Sequence, residues 1–151
     1  MKIIISSDHA GFETKESLVA YLQDSGYEVE DLGPDEYSST DDYPDFIAPA
    51  MNNLQKDEDS LGIVLCKNGV GVSVLANKFK GIRAALCFSA EQAKSSKIDD
   101  NANVLAISTQ FLSQEDIPLV VDAFLRTPFS HAERHLRRLE KVSLVEEENF
   151  K

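Results

Sequence analysis

Short apolar runs alternate along the chain with longer segments whose apolar residues recur every three or four positions. The short runs predict buried strands, and the longer spacing predicts helices with one buried face. The predicted strands span residues 2–6, 27–32, 61–66, 84–87 and 103–107. The predicted helices span residues 12–25, 45–54, 72–78, 89–97, 114–125 and 131–147. Pro49 weakens the second helix, and Pro118 fits the fifth only within its first turn.

This alternation of strand and helix predicts a doubly wound, Rossmann-like α/β fold, with a parallel sheet, helices on both faces and a C-terminal helix. No repeat or linker divides the sequence, so residues 1–151 are predicted to form a single domain. Ligands of such sheets bind beyond the carboxyl ends of the strands. Residues 7–11 and 66–71 follow the first and third strands. Residues 99–103 precede the fifth strand. They can reach the carboxyl edge of the sheet only if the preceding loop carries them there, or if they come from another subunit.

The net charge of −11 argues against binding to nucleic acid or anionic membranes, so an anionic ligand needs a local positive site. No stretch approaches the roughly 18 apolar residues of a membrane span. The first apolar run is too short for a signal peptide. Cys66 and Cys87 lack metal-ligand spacing, which favours a reducing, cytoplasmic setting over a secreted disulfide fold.

Cys66 stands where the third strand meets a loop that contains Gly69 and Gly71. This loop is not a Walker A motif, a dinucleotide fingerprint or a phosphatase cradle. It can still present backbone N–H groups to an oxyanion at a helix N-terminus. The helix dipole would favour the thiolate of Cys66, a usable base beside a carbonyl group. The alternative interpretation is a small buried hydrophobe, which is also the prediction for Cys87.

Three of the five arginines fall within Arg134-His135-Leu136-Arg137-Arg138. With His131, the residues Arg134, His135 and Arg138 have the spacing i, i+3, i+4 and i+7, which places them on one face of a helix. Within an acidic protein this basic stripe predicts an anion-binding site. The alternative is a solvated face paired with neighbouring glutamates.

Several motifs follow one another in a characteristic order. They are Ser7-Asp8-His9-Ala10-Gly11-Phe12, Asp42-Tyr43-Pro44, Cys66 before the glycine loop, Ala76-Asn77-Lys78, Gly81-Ile82-Arg83-Ala84-Ala85-Leu86, Asn103-Val104-Leu105-Ala106 and Arg134-His135. In this order the chain resembles the type B ribose-5-phosphate isomerase family, which also includes the subunits of galactose-6-phosphate isomerase. The resemblance runs from Met1 to about Val142.

The resemblance implies that Cys66 moves a proton between C1 and C2 of an open-chain sugar phosphate, with no cofactor and no metal. The loop amides that would stabilise the enediolate oxygen are those of Asn68, Gly69, Val70 and Gly71. The resemblance further implies that Asp8 and Tyr43 hold sugar hydroxyls and that His9 lies beside the phosphate. The positive cluster implied to grip the phosphate consists of Arg134, His135 and Arg138. Family members are dimers or dimers of dimers whose sites are built from two subunits.

The chain departs from the family pattern in its glycine loop and at two further positions. The family loop reads cysteine-glycine-threonine-glycine, whereas Lys67 and Asn68 follow Cys66 here. Asn68 can donate a hydrogen bond but cannot shuttle a proton, and Lys67 adds a cation near the thiol and the substrate. Gln110 stands where an arginine commonly supports the phosphate. Asp99 aligns with the ring-opening histidine of the family.

Asp99 stands beside the candidate substrate contact Asp100. A carboxylate is a weaker base than histidine, so we expect slow turnover of cyclic sugars, limited by spontaneous ring opening. The leading hypothesis is an aldose–ketose isomerase of a sugar phosphate, with ribose 5-phosphate as the first candidate. One alternative is a sugar-phosphate-binding paralogue without turnover. Another is one subunit of a two-component isomerase, such as galactose-6-phosphate isomerase.

Overall fold

A computed structural model describes residues 1–150 of the chain, and within them five parallel strands alternate with six α-helices. The strands are β1 (Lys2–Ser7), β2 (Glu28–Asp31), β3 (Leu61–Cys66), β4 (Ala84–Leu86) and β5 (Val104–Ser108). The helices are α1 (Phe12–Asp24), α2 (Pro44–Leu54), α3 (Val70–Ala76), α4 (Ala90–Asp100), α5 (Asp116–Arg126) and α6 (Glu133–Asn149). A 3₁₀ turn, His9–Gly11, links β1 to α1. The predicted α/β fold is confirmed.

The strand order β2-β1-β3-β5-β4 reverses direction between β1 and β3. β2 lies on one side of β1, and the later strands lie on the other side in the spatial order β3, β5, β4. The crevice beyond the carboxyl ends of β1 and β3 is therefore the switch point at which ligands of such sheets bind. In the ladder, Ser7 lies opposite Leu65, so both strands end at the same level.

Both faces of the sheet are covered, which explains why the central strands are continuous apolar runs. On one face, Ile3 and Ile5 of β1 pack with α1, α4 and α5. On the other face, Ile4 and Val64 pack with α2 and α3, and Cys66 belongs to this second cluster. Cys87 is fully buried in the first cluster.

Three details of the helices bear on the site. α2 continues through Pro49, since its buried face holds it against the sheet, and Pro118 lies in the first turn of α5. α6 begins at Glu133 rather than at residue 131, because His131 has a left-handed backbone with φ of 53°. No helix within residues 1–150 is long and apolar enough to cross a membrane.

Candidate active site

The first part of the site lies at the switch point, beyond the carboxyl ends of β1 and β3. The Asp8 N–H donates to the Leu65 carbonyl at 3.4 Å, which places Asp8 beside Cys66. Gly11 packs directly on both strands, because a Cβ there would lie 2.8 Å from Ser7 Cβ and 2.9 Å from Leu65 Cβ. The turn that carries Asp8 is thus pressed onto the sheet edge.

Asp8 is nearly buried and is held by the turn that follows it. One of its carboxylate oxygens accepts a hydrogen bond from the Gly11 N–H at 3.1 Å. Asp8 therefore caps the 3₁₀ turn rather than α1 itself. Burial raises the pKa of its carboxyl group above 3.8, while the Gly11 hydrogen bond opposes the shift.

His9 is bound to a carboxylate that comes from the loop before α2. Its Nδ1 lies 2.5 Å from Asp41 Oδ1, and its backbone N–H donates to the same oxygen at 3.1 Å. The hydrogen bond to Asp41 raises the pKa of His9 above its ordinary value of 6.5. His9 is the only sequence-predicted residue of this edge with a carboxylate partner within residues 1–150.

The Cys66 thiol is held by the glycine loop. The Gly69 N–H donates to Sγ at 3.2 Å, and Asn68 Oδ1 lies 3.8 Å from the same sulfur. Gly69 has φ of 76°, and a Cβ there would lie 2.5 Å from Leu86 Cδ1. Glycine is therefore needed to bring this amide to the sulfur. An N–H aimed at Sγ would stabilise a thiolate.

Two of the four predicted oxyanion donors already have partners inside the loop. The Gly69 amide serves Cys66, and the Val70 N–H donates to Asn68 Oδ1 at 2.9 Å. The N–H groups of Gly71 and Val72 lie in the first turn of α3, where no intrahelical acceptor exists. Of the four predicted donors, the N–H groups of Asn68 and Gly71 therefore have no partner among residues 1–150, and the Val72 N–H is a further free amide.

Tyr43 covers the start of α3. A Cβ on Gly71 would lie 2.9 Å from Tyr43 Cε1 and Cζ and 3.3 Å from its hydroxyl oxygen. A side chain at position 71 would displace this ring. Tyr43 and the glycine loop therefore form two adjoining walls of the switch-point crevice. Lys67 and Gln110 are exposed at its rim, and the Gln110 N–H donates to the Lys67 carbonyl at 2.9 Å.

The second group of predicted residues lies at the opposite edge of the sheet. α4 connects two parallel strands, so it runs back from the carboxyl edge and ends, with Asp99 and Asp100, at the amino edge. The start of α6 is tied to it, since the Ser130 N–H donates to the Ile98 carbonyl at 3.3 Å. Loop routing within one chain therefore does not bring Asp99 to Cys66.

His135 is buried rather than presented to a ligand. Its side chain is 4% exposed, and its Nδ1 lies 2.6 Å from Ser130 Oγ. Arg134 Nε donates to His135 Nε2 at 3.1 Å. Asp99 Oδ1 lies 3.5 Å from the same nitrogen. His135 positions Arg134 and does not itself line the surface.

The predicted basic stripe is thus reduced to two exposed arginines, Arg134 and Arg138. His131 is not part of it, because it precedes the helix. Within residues 1–150, no ion pair joins either arginine to a carboxylate, although glutamates are neighbours in sequence. The Arg138 guanidinium and the two terminal nitrogens of Arg134 are therefore free to bind an anion.

Sequence reasoning did not single out Asp41, which the structure places against His9. Asp41 precedes the Asp42-Tyr43-Pro44 motif, but nothing local indicates contact with a residue 32 positions earlier.

Among the described residues, no group of three or more His, Cys, Asp or Glu side chains could hold a metal ion.

Comparison with known proteins gives one consistent result. The family model described as Ribose/Galactose Isomerase matches residues 3–142. Ribose-5-phosphate isomerase B of Mycolicibacterium paratuberculosis is 41% identical over 146 residues, covering 97% of this chain and 92% of the relative.

Solved structures agree with the sequence relatives. Ribose-5-phosphate isomerase B from Mycoplasma genitalium with bound ribulose-5-phosphate matches with a TM-score of 0.94 at 40% identity, covering 98% of this chain and 97% of that one. Type B ribose 5-phosphate isomerase from Trypanosoma cruzi matches with a TM-score of 0.92 at 33% identity, covering 99% of this chain and all of the other.

Proposed function

The chain belongs to the type B ribose-5-phosphate isomerase group of the ribose/galactose isomerase family and is an aldose–ketose isomerase; we propose that it interconverts ribose 5-phosphate and ribulose 5-phosphate through Cys66. The observation that carries the mechanism is the thiol at the switch point, with the Gly69 N–H donating to Sγ at 3.2 Å. That contact holds Sγ at the head of the glycine loop, where the thiolate form of a cysteine can remove a carbon-bound proton.

The proton transfer starts from the open-chain aldose, whose C1 is an aldehyde carbon. The Cys66 thiolate takes the proton from C2, and the electron pair of that bond forms the C1–C2 double bond of an enediolate. Negative charge collects on O1, where the free amides of Gly71 and Val72 stabilise it. Cys66 then returns the proton to C1 while the hydroxyl proton of O2 passes to O1, which leaves a ketone at C2.

The phosphate is held by Arg134 and Arg138 of a second copy of the chain. In one copy these arginines lie at the amino edge of the sheet, whereas Cys66 lies at the carboxyl edge. A shared site between two copies brings both groups together. The exposed apolar side chains of α6 favour such an association, since Leu136, Val142 and Val145 are 48%, 53% and 60% exposed.

The direct test of the substrate is incubation of the purified chain alone with ribose 5-phosphate, followed by measurement of the ketose. Formation of ribulose 5-phosphate by this single chain supports the proposal. Binding without turnover would instead identify a sugar-phosphate-binding paralogue. Turnover only after addition of a second, different subunit would identify one half of a two-component isomerase.

The shared site has its own test, in which Cys66→Ala and Arg138→Ala proteins are unfolded together, refolded and assayed. At ribose 5-phosphate concentrations well below KM, each variant alone should have low activity, Cys66→Ala because it lacks the proton-transferring thiol and Arg138→Ala because it binds the phosphate weakly. A mixed dimer would carry one site with both residues intact, so an equal mixture should recover about one quarter of wild-type activity. No recovery in the mixture would show that Cys66 and Arg138 act within a single chain.

A further inference from the structure

Lys15 is a charged side chain that the fold buries completely. It lies near the start of α1, just beyond the carboxyl edge of the sheet, and is 0% exposed. Its ammonium group donates to Asp31 at the end of β2 and, at 2.7 Å, to Glu16 Oε1. A buried charge is retained only where groups around it compensate for its lost hydration. No step of the proposed proton transfer uses this lysine.

A hydrogen-bonded route leads from Lys15 to Asp8. Lys15 binds Oδ2 of Asp31, while Oδ1 of the same carboxylate accepts the Gly33 N–H at 2.9 Å. The Gly33 carbonyl in turn accepts the Ser7 N–H at 3.0 Å. Ser7 is the last residue of β1 and directly precedes Asp8. The end of β1 is therefore tied to the buried ammonium through one carboxylate and one glycine.

An aromatic route leads from the same ammonium to His9. Lys15 Nζ lies over the Phe12 ring, 5.5 Å from its centroid. The Phe12 and Tyr37 rings meet edge-on with centroids 6.3 Å apart, and the Tyr37 and His9 rings do the same at 6.3 Å. A cation over a ring face and an edge-to-face pair of rings are both attractive arrangements. The His9 ring is thus supported by this stack as well as by Asp41.

The two routes end on neighbouring residues of the turn that follows β1. The family resemblance implies that Asp8 holds sugar hydroxyls and that His9 lies beside the phosphate. Cys66 is held separately, by the glycine loop after β3. Loss of the Lys15 charge should therefore disturb substrate binding more than the proton-transferring thiol.

Lys97, the other buried lysine among the described residues, has no such connection. Its Nζ donates to the Ala102 carbonyl at 3.0 Å and lies over the Phe124 ring, 5.1 Å from its centroid. Within residues 1–150 it has no carboxylate partner. These contacts fasten the end of α4 near the amino edge. Burial of a lysine does not by itself link it to the turn after β1.

We propose that Lys15 is a positioning residue for substrate binding, which fixes the turn that carries Asp8 and His9. This inference rests on the proposed isomerase function and deepens the account of its substrate site. Lys15 does not itself touch the substrate, because its side chain is wholly enclosed. It acts through the Asp31 carboxylate and through the aromatic stack.

The deciding experiment is steady-state kinetics of Lys15→Met with ribose 5-phosphate, with KM and kcat measured separately. Methionine is an unbranched side chain without charge, so it can fill the buried space but cannot bind Asp31. Leu22→Ala is the matched control, since Leu22 is fully buried at the far end of the same helix and belongs to neither route. Circular dichroism and urea denaturation would show that both variants are folded under the assay conditions.

We expect Lys15→Met to raise KM at least about tenfold, because misplaced substrate contacts form weaker hydrogen bonds. Its kcat should stay within about threefold of wild type, since the thiol keeps its own loop. Leu22→Ala should lose stability but keep both constants within about twofold of wild type. An unchanged KM in Lys15→Met, an equal rise in Leu22→Ala, or a loss confined to kcat would each overturn the inference.

A double variant tests whether Lys15 acts through Asp31. Asparagine at position 31 keeps an acceptor for the Gly33 N–H but offers no charge to Lys15. If the pair acts as one unit, Lys15→Met/Asp31→Asn should raise KM no more than the larger of the two single changes. Effects on KM that multiply would show independent action and overturn the inference. Absence of turnover in wild type would instead overturn the proposed function, and the role of Lys15 with it.

Discussion

The backbone conformation and close packing of Gly69 predict how much stability the loop that holds Cys66 loses when this glycine is replaced. Gly69→Ala requires an alanine at φ of 76°, and its Cβ would lie 2.5 Å from Leu86 Cδ1, 3.1 Å from Ser108 N and 3.2 Å from Ile107 C. A left-handed backbone costs an alanine about 1–2 kcal/mol. Overpacking against the β5 backbone adds about 1–3 kcal/mol, since that strand cannot move aside easily.

Gly81→Ala is the matched control for this substitution. Gly81 has φ of 79°, but a Cβ there would meet nothing within 4 Å. Urea denaturation followed by circular dichroism should therefore give a loss of about 2–5 kcal/mol in the free energy of unfolding for Gly69→Ala, and about 1–2 kcal/mol for Gly81→Ala. Only Gly69→Ala should also lose isomerase activity, because its amide is displaced from Sγ. Equal destabilisation of the two variants, with activity retained in both, would refute this description of the loop.

Three further substitutions test other parts of the site. Arg134→Ala and Arg138→Ala should each raise the dissociation constant of a sugar phosphate at least about tenfold, because a charge-assisted hydrogen bond contributes roughly 1.5–3 kcal/mol; equal affinities by calorimetry would remove the phosphate site from α6. Asp99→Asn should change turnover of ribose 5-phosphate little; a large loss in stopped-flow assays would assign ring opening to that carboxylate. Asp8→Asn should unfold at a higher urea concentration than wild type at pH 7, because burial raises the pKa of Asp8 in the folded state above 3.8 and disfavours its charged form. Wild type therefore loses stability as pH rises through that folded-state pKa, and the advantage of Asp8→Asn should vanish below about pH 4; a constant difference at all pH values would contradict this.

The sheet could be predicted from the sequence because its central strands are buried on both faces. Such strands appear as uninterrupted apolar runs, and β3 has the predicted bounds, Leu61–Cys66. Once the strands were placed, the positions of Asp8 and Cys66 followed, since each comes at the carboxyl end of a strand at the switch point.

Contacts between distant segments could not be predicted in the same way. The pairing of His9 with Asp41 depends on how the irregular loop before α2 folds back over the sheet edge. The burial of His135 depends on the left-handed backbone at His131, which turns the chain before α6 begins. Helical spacing alone predicted a longer basic stripe, because it takes no account of where the helix starts.

The central claim is that Cys66 carries the proton between C1 and C2. The most direct measurement is deuterium exchange at C1 of ribulose 5-phosphate, compared between wild type, Cys66→Ala and the control Cys87→Ala, which changes the core cysteine. We expect Cys66→Ala to lose exchange by at least about 10²-fold while its circular dichroism and its affinity for the sugar phosphate remain close to wild type. Cys87→Ala should retain exchange. Near-normal exchange in Cys66→Ala would show that another group moves the proton, and would contradict the mechanism.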